Sequence, residues 1–421
     1  MERFFIFMLS VMLAFSACSY PVETASVADH SEKKKLTVMV YMAADNDLES
    51  YALQNLKSME KSDFCEINVL VLLDRAEGYD ETNGNWTDTR LFEVTHDKSD
   101  GSFIVSKRLN CAALGLSDQS ETELDMANPL VLKTFIEFGK SYYTAEKYAL
   151  IIWGHGTGWR FCSEPSVRAV AIDDKTNSYI SVYALGQALE NLDLCVIGFD
   201  TCFGGAFENL YELKNCAEFT VACPGVTPGS GWNYKEMLEA VAAGDFSARS
   251  IADSMALYSS SGTSVLVNNR FAQLMESFEA FSEQLSQTII TENDRQEVMD
   301  ELFSIKSYSY SQYPCDMYLD LKALAELYCA SPDSSLSAAA VSLKASLEES
   351  VLGLEGRSSG IGVHFIPMTS VHTAASGHSS DYIKSENKTN QCSFIKESRW
   401  WVPTEGGNSG SVLDKLFYSN F

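Results

Sequence analysis

Basic residues are scarce in this chain. Thirty-one lysines and arginines stand against 57 aspartates and glutamates, a net charge of −26 over 421 residues. Nothing supplies a concentrated cationic footprint, which argues against a nucleic-acid partner. The acidic surplus favours cationic partners or substrates, although solubility alone accounts for most of such a balance. There is no C-x-x-C pair, so a structural zinc site has little support. A G-x-x-x-x-G-K-[ST] phosphate loop is missing, and no serine sits in a G-x-S-x-G elbow behind a plausible strand. Beyond the N-terminus no segment is apolar enough to span a bilayer, and no internal repeat or low-complexity tract stands out. What remains is a chain of ordinary hydrophobic content, 46%. It is long enough for one large domain, or a main domain with an appended lobe, and for a sizeable core.

Met1-Glu2-Arg3 is followed by an apolar run from Phe4 to Phe15 and then Ser16-Ala17-Cys18. The run is shorter than the roughly 20 residues a mature transmembrane helix needs, but has the length of a signal-peptide core. A cysteine straight after small residues resembles a bacterial lipobox, in which the thiol receives lipid and becomes the new N-terminus. Residues 1–18 are thus expected to be a lipoprotein-type signal ending at Cys18, the lipidation site, and polar residues 19–35 a tether. The implied location is the bacterial cell envelope, with a lipid anchor in the membrane. Ser19, being non-acidic, points to the outer membrane, and a secreted or periplasmic protein is the alternative. Of eleven cysteines, ten then remain; their spacing shows no dense disulfide framework, and pairing stays open.

Apolar, β-rich runs at 36–42, 67–73, 148–153, 194–199 and 219–223 predict buried strands. Helical spacing at 48–59, 129–143 and 180–192 separates them. Continuous apolar strands alternating with helices indicate an α/β fold, a mainly parallel sheet with helices on both faces. From about Arg270 to Ser350 the pattern turns helical, and 360–366 returns as a strand expected to rejoin the main sheet.

Two strand ends carry chemistry. One is Ile151-Ile152-Trp153-Gly154-His155-Gly156, the other Ile197-Gly198-Phe199-Asp200-Thr201-Cys202. In a parallel sheet both ends face one cleft. His155 offers acid and base work near neutral pH, and a cysteine is the best of the common nucleophiles. Glycines flanking His155 leave backbone amides open to a developing oxyanion. A lone histidine or a lone strand-end cysteine is more often structural; the pairing on matched ends changes the balance. Other motifs fail on specifics. Trp159 stands where a dinucleotide loop needs its last glycine, and Glu208 stands where a cysteine phosphatase needs arginine.

Strand-His-Gly followed by strand-Asp-x-Cys resembles the clostripain family of cysteine peptidases, within the caspase-like clan. The histidine precedes the cysteine by about 50 residues, as in caspases. Tyr41-Met42-Ala43-Ala44-Asp45-Asn46-Asp47-Leu48-Glu49 and Gly229-Ser230-Gly231-Trp232-Asn233-Tyr234 resemble two further family segments, and the likeness runs over roughly 36–240. It implies a caspase-like catalytic domain over 36–265 and a mostly helical lobe over 266–421, with the strand near 360–366 returning to the core. By the same resemblance Cys202 is the nucleophile and His155 the general base and acid, a dyad needing no orienting acid. The N–H groups of Gly156 and Cys202 form the oxyanion hole. Asp200 matches the acid of the substrate pocket, implying cleavage after Arg or Lys in protein or peptide substrates; its alternative is a helix N-cap.

Cys223-Pro224-Gly225 departs from the family, which often has serine and acidic residues there. Self-processing, where it occurs, has Arg160, Arg168 and Lys175 as candidate positions. No cofactor is required and no metal ligand is assigned. The resemblance allows calcium, toward which Asp173-Asp174 offers oxygens, though adjacent acids more often mark a turn. Two other readings are a non-catalytic surface lipoprotein that binds protein or glycan, and a cysteine transpeptidase.

Overall fold

The structure, a computed structural model, describes residues 32–99, 101–159, 170–176, 178–260, 262–310, 313–353, 360–365, 392–394, 398–400 and 410–417. Cys18, Arg160 and Arg168 lie outside them, as does most of the N-terminal signal and tether.

The apolar runs become strands. β1 (Lys34–Ala44) leads through a short loop into α1 (Glu49–Glu60) and β2 (Ile67–Arg75), followed by the antiparallel β3 (Thr89–Glu93) and β4 (Lys107–Leu109). The next helix, α2 (Pro129–Tyr142), starts at Asn128, whose side chain accepts the Leu130 N–H. β5 (Ala145–Trp153), the hairpin β6 (Val170–Asp173) and β7 (Ser178–Ile180), and α3 (Val182–Leu189) come next. β8 (Leu194–Asp200), α4 (Phe207–Leu213), β9 (Ala217–Ala222), α5 (Tyr234–Ala243), α6 (Ala248–Leu257) and β10 (Ser264–Val267) complete the first part. Beyond it lie α7 (Phe271–Thr288), α8 (Glu292–Ser304), β11 (Ser307–Tyr310), β12 (Tyr313–Asp320), α9 (Leu321–Tyr328), α10 (Ser334–Ser350), β13 (Val351–Leu352), β14 (Gly362–Phe365) and α11 (Val412–Phe417).

The main sheet has nine strands in the order β13-β10-β9-β8-β5-β1-β2-β3-β4. Strands β9, β8, β5, β1 and β2 run parallel, and the outer strands are antiparallel additions on both sides. Alternation along β1 explains why both faces are covered. Val38, Val40 and Met42 point into one core with α1, α5 and α6; Met39, Tyr41 and Ala43 point into another with α2 and α3. A third core joins α4 to the helices after β10. There Phe207 packs against Phe271, Phe278 and Phe394 with centroids 5.1, 4.8 and 5.4 Å away. Truncating an aromatic in such a setting costs about 3–5 kcal/mol, so the helical part and the sheet are held as one packed body.

Two sequence expectations are corrected. The strand at 360–366 is β14, but it pairs with β12 in a separate three-stranded sheet, β11-β12-β14. The chain returns to the main sheet through β13, on the edge of β10. A short apolar strand carries no label for its partner, which is why pattern alone misassigned it. The helix expected over 180–192 is confined to Val182–Leu189, because Ser178–Ile180 is used as β7 and Ser181 caps the helix by accepting the Ala184 N–H. Among the described residues Cys65, Cys111, Cys195, Cys216 and Cys329 are free thiols. Burial pushes the Cys195 thiol up to about 12, the behaviour of an inert core filler.

Candidate active site

In the parallel sheet β1 is followed on one side by β2 and on the other by β5, so the chain changes direction of travel between β1 and β5. Crevices form at the carboxyl ends of strands flanking such a switch. The loops that follow β1, β5 and β8 carry Asp47, His155 and Cys202. Register decides how the last two meet. Trp153 pairs with Asp200 across β5 and β8, so His155 and Cys202 each lie two residues beyond the same rung. Both line a cavity of about 180 Å³ whose walls include Leu48, Asp200, Thr227 and Gly231. A larger cavity, about 530 Å³, is lined by Asn191, Asp193, Leu194 and Ala217 at the amino ends of β8 and β9. It sits at the opposite edge of the sheet from these groups and contains none of them.

Close approach of the two loops depends on glycine. A Cβ on Gly156 would lie 2.5 Å from the Cys202 carbonyl oxygen, so no other residue fits without moving backbone. The Cys202 sulfur accepts the Thr227 N–H at 3.3 Å and its thiol donates to the Thr227 oxygen at 3.5 Å, which fixes the side chain against the 226–231 loop. Phe203, next in the chain, is fully buried with φ of 55°, a left-handed conformation that costs a non-glycine residue on the order of 1–2 kcal/mol. It is held by its N–H bond to the Gly225 oxygen and by stacking on Tyr318, centroids 5.3 Å apart. The Tyr318 hydroxyl in turn donates to the Thr157 oxygen at 2.9 Å. One β12 side chain thereby braces the residues beside both His155 and Cys202.

Asp47 is a group the sequence reading passed over as part of a turn. Its Oδ1 lies 2.6 Å from His155 Nε2. This bond to the histidine holds the Asp47 carboxyl below its usual range, so it is an acceptor and Nε2 carries the proton. The remaining nitrogen, Nδ1, is left for chemistry.

Asp200 is 3% exposed and caps no helix. Its Oδ2 accepts the Trp232 N–H at 3.0 Å and the Tyr234 O–H at 2.9 Å, while buried Oδ1 has no partner. The N-cap alternative is therefore overturned: α4 begins at Ala206 without a side-chain cap. Burial raises the Asp200 carboxyl to about 7, opposed by the two hydrogen bonds. Gly231, with φ of 68°, lets the 226–231 loop pass over it; a Cβ there would sit 2.7 Å from Asp200 Oδ2.

Three further acids converge near the β1 loop. One carboxylate oxygen each from Asp45, Asp74 and Asp173 lies within 4.8 Å of the others. Sequence spacing gave no hint of this set, because it unites the ends of β1, β2 and β6. Of the processing candidates, Lys175 is described; it pairs with Glu123 at 2.8 Å.

Comparison with known proteins follows the same lines. Residues 40–403 match the model of the clostripain family of C11 peptidases. Clostripain of Hathewaya histolytica is 30% identical over 244 residues, covering 53% of this chain and 45% of that protein, so the chain spans about half of the relative's length. The fold resembles an inactive zymogen C11 protease from Parabacteroides distasonis, with TM-score 0.58 and 18% identity over 86% of this chain and 99% of that one. It also resembles a secreted C11 cysteine protease from Bacteroides thetaiotaomicron in complex with an irreversible peptide inhibitor (TM-score 0.56, 19% identity, 84% and 98% covered). These matches give the chain the mainly parallel sheet fold of the C11 proteases. The chain belongs to the clostripain family.

The raised Asp200 carboxyl makes a stability prediction. An acid with folded pKa near 7 and unfolded pKa near 4 withdraws stability as pH rises between those values, since only the unfolded state then ionises freely. Asp200→Asn keeps an oxygen for Trp232 and Tyr234 and removes the charge. The variant's melting temperature relative to the parent is expected to climb from pH 4.5 to pH 8; a flat difference would refute the buried, raised carboxyl.

Proposed function

We propose that this protein is an endopeptidase that hydrolyses peptide bonds after Arg or Lys, with Cys202 as nucleophile and His155 as general base and acid. The observation that carries the specificity is the unpartnered, buried Oδ1 of Asp200, in the wall of the cavity that also holds His155 and Cys202. A guanidinium or ammonium entering there supplies the missing partner and draws the carboxyl to its charged form.

The chemistry runs in two halves. Imidazole takes the Cys202 proton, and the thiolate attacks the substrate carbonyl to give a tetrahedral oxyanion. The N–H groups of Gly156 and Cys202, on loops in contact, are suited to stabilise that charge. Imidazolium then protonates the leaving amine and a thioester remains. In the second half His155 removes a proton from water, hydroxide attacks the thioester, and the proton returns to Cys202 as the acid product leaves. Asp47 acts as a positioning residue: it fixes the tautomer and rotation of His155, so the expected dyad gains an orienting acid. Asp47 is 65% exposed, so its contribution is mainly geometric.

The N-terminal pattern supports export and lipid attachment at Cys18, and the Bacteroides thetaiotaomicron relative is described as secreted. No helix among the described residues is long and apolar enough to cross a membrane.

Kinetics test the core of the proposal. Cys202→Ala is expected to abolish cleavage of peptides with Arg or Lys at the cleavage position. Asp200→Asn should lower kcat/KM for those peptides by about 100-fold or more while leaving neutral ones little changed. In the parent, the ratio of kcat/KM for basic over neutral peptides should rise with pH up to about 7 and then level. Cleavage after Asn or Asp instead would remove the pocket assignment. No cleavage at all, even after limited proteolysis, would favour the binding lipoprotein, and transfer to an added amine in preference to water would favour the transpeptidase.

For Asp47→Ala we expect kcat to fall about 10- to 100-fold with KM nearly constant, and Asp47→Glu to recover part of it. Equal loss in both variants, or a rise in KM alone, would remove the positioning role. Lipidation is read by metabolic labelling with a radioactive fatty acid. The full chain should take up label and partition with membranes, and Cys18→Ser should do neither; label retained in that variant would reassign the site.

A further inference from the structure

We propose that Asn209 is a positioning residue for peptide cleavage: its side-chain amide holds the turn after Cys202 in the shape the nucleophile needs. The inference rests on the reading of Cys202 as nucleophile. Residues 203–205 form that turn and have few means of holding themselves. Gly204 and Gly205 carry no side chains because none fits. A Cβ would lie 2.6 Å from the Phe199 Cβ at the first and 2.8 Å from the Pro224 nitrogen at the second. Glycine backbone is also the freest to rotate. Phe203, in front of them, sits at φ of 55°. Three backbone bonds tie the turn to its surroundings. The Phe203 N–H donates to the Gly225 oxygen and the Gly205 N–H to the Cys223 oxygen, both at 2.8 Å, and the Gly205 oxygen accepts the Gly362 N–H. The Phe203 and Gly204 carbonyls are held by Asn209, whose Nδ2 donates to them at 3.2 and 3.3 Å.

Nothing in the helix calls for asparagine at this place. Phe207 and Leu210 of α4 belong to the core shared with the later helices, and Asn209 itself is fully buried. The two carbonyl oxygens fix the orientation of its amide, since the reverse would set three oxygens against one another. That orientation strands Asn209 Oδ1, which is buried and has no partner among the described residues. A buried acceptor without a donor is unfavourable, and a leucine of similar volume would avoid it. The leucine would also leave the turn without its amide. It is therefore the turn that explains the asparagine. Tyr318 holds the ring of Phe203, Asn209 holds the carbonyls, and each stops a rotation that the other leaves open. Relaxation of the turn moves groups that matter to chemistry. The Cys202 carbonyl packs on Gly156 and the Cys202 sulfur sits against Thr227. A shift at Phe203 thus displaces the thiol from His155 and the Gly156 amide from the oxyanion. Both changes fall on the transition state more than on substrate binding.

The test pairs kinetics with a measurement that needs no peptidase activity. In the purified full-length chain, kcat and KM are measured on a peptide with Arg at the cleavage position. Alkylation of Cys202 by iodoacetamide is followed across pH by mass spectrometry of the fragment that contains it, because other thiols also react. Asn209→Leu is expected to lower kcat about 10- to 100-fold with KM within about twofold. It should also slow Cys202 alkylation at pH 7 about fivefold or more, by moving the profile to higher pH. Leu210→Ala is the control, since it loosens the same helix and core but has no side-chain hydrogen bond to give the turn. It should melt lower than the parent and keep kcat and alkylation within about twofold. Asn209→Ser keeps one donor and should fall between parent and leucine variant; it decides by the same criteria if the leucine variant does not fold. Asn209 variants that melt lower but keep kcat and alkylation overturn the proposal, and so does an equal loss in Leu210→Ala. A parent that cleaves no peptide removes the peptidase reading alone, and alkylation then decides whether Asn209 sets the Cys202 turn.

Discussion

The parallel pairing of β5 with β8 sets everything that follows at the cleft. Parallel strands in register end on the same side, and the Trp153–Asp200 rung brings two chain exits to one height. A slip of one residue would turn His155 and Cys202 to opposite faces, since side chains alternate along a strand. Such a slip would also invert the core contacts of Ile151 and Leu150, which lie in different cores on the two faces of the sheet. The apolar pattern that stabilises the fold is therefore the same feature that fixes the distance between the proposed nucleophile and its base.

Electrostatic cost is concentrated along that edge, and each acid meets it differently. Glu49 and Arg75, both fully buried, neutralise each other and are further bonded to the backbone of Asp80 and Thr82. Asp47 stays near solvent and leans on His155. Asp200 is buried with half its carboxylate unsatisfied, and burial keeps it partly protonated at neutral pH. In the proposed function a basic side chain completes that carboxylate, whereas a second carboxylate would find no positive partner. The Asp45, Asp74 and Asp173 set is more extreme, three buried carboxylates brought together at one end of the sheet. Compensation by an ion pair, by hydrogen bonds and by solvent thus coexist within the loops of three neighbouring strands.

Much of this was legible in the sequence. The central strands announced themselves as apolar runs with turn residues after them, and the His155 and Cys202 ends stood out because reactive residues followed such runs directly. Asp200 was legible for the same reason. What escaped were features made by tertiary placement. Asp47 looks like any turn aspartate until the β1 loop is set beside β5. Asp74 looks like the polar end of a strand until β6 crosses near it. β10, β13 and β14 are short, and nothing local tells a short edge strand which sheet it will join. The helix at 182–189 was overextended because its flanking residues keep apolar periodicity while serving as strand and loop.

The helical part gains a physical role from contacts rather than from pattern. Tyr318 reaches from β12 to bond the Thr157 oxygen and to stack on Phe203, and Gly362 of β14 donates to the Gly205 oxygen at 3.1 Å. These bonds fall beside His155 and beyond Cys202, on the two loops whose separation matters most. Phe203 holds a left-handed backbone that would relax if left alone, and relaxation there would move the Cys202 carbonyl that packs on Gly156. The lobe therefore supplies the constraint that the strained turn requires. Without it the sheet would still bring His155 and Cys202 to one end, but the turn after the cysteine would be free to find a lower-energy shape. Fold and site are separable in this protein: the register of the sheet brings the groups together, and the second sheet keeps them in the geometry that chemistry needs.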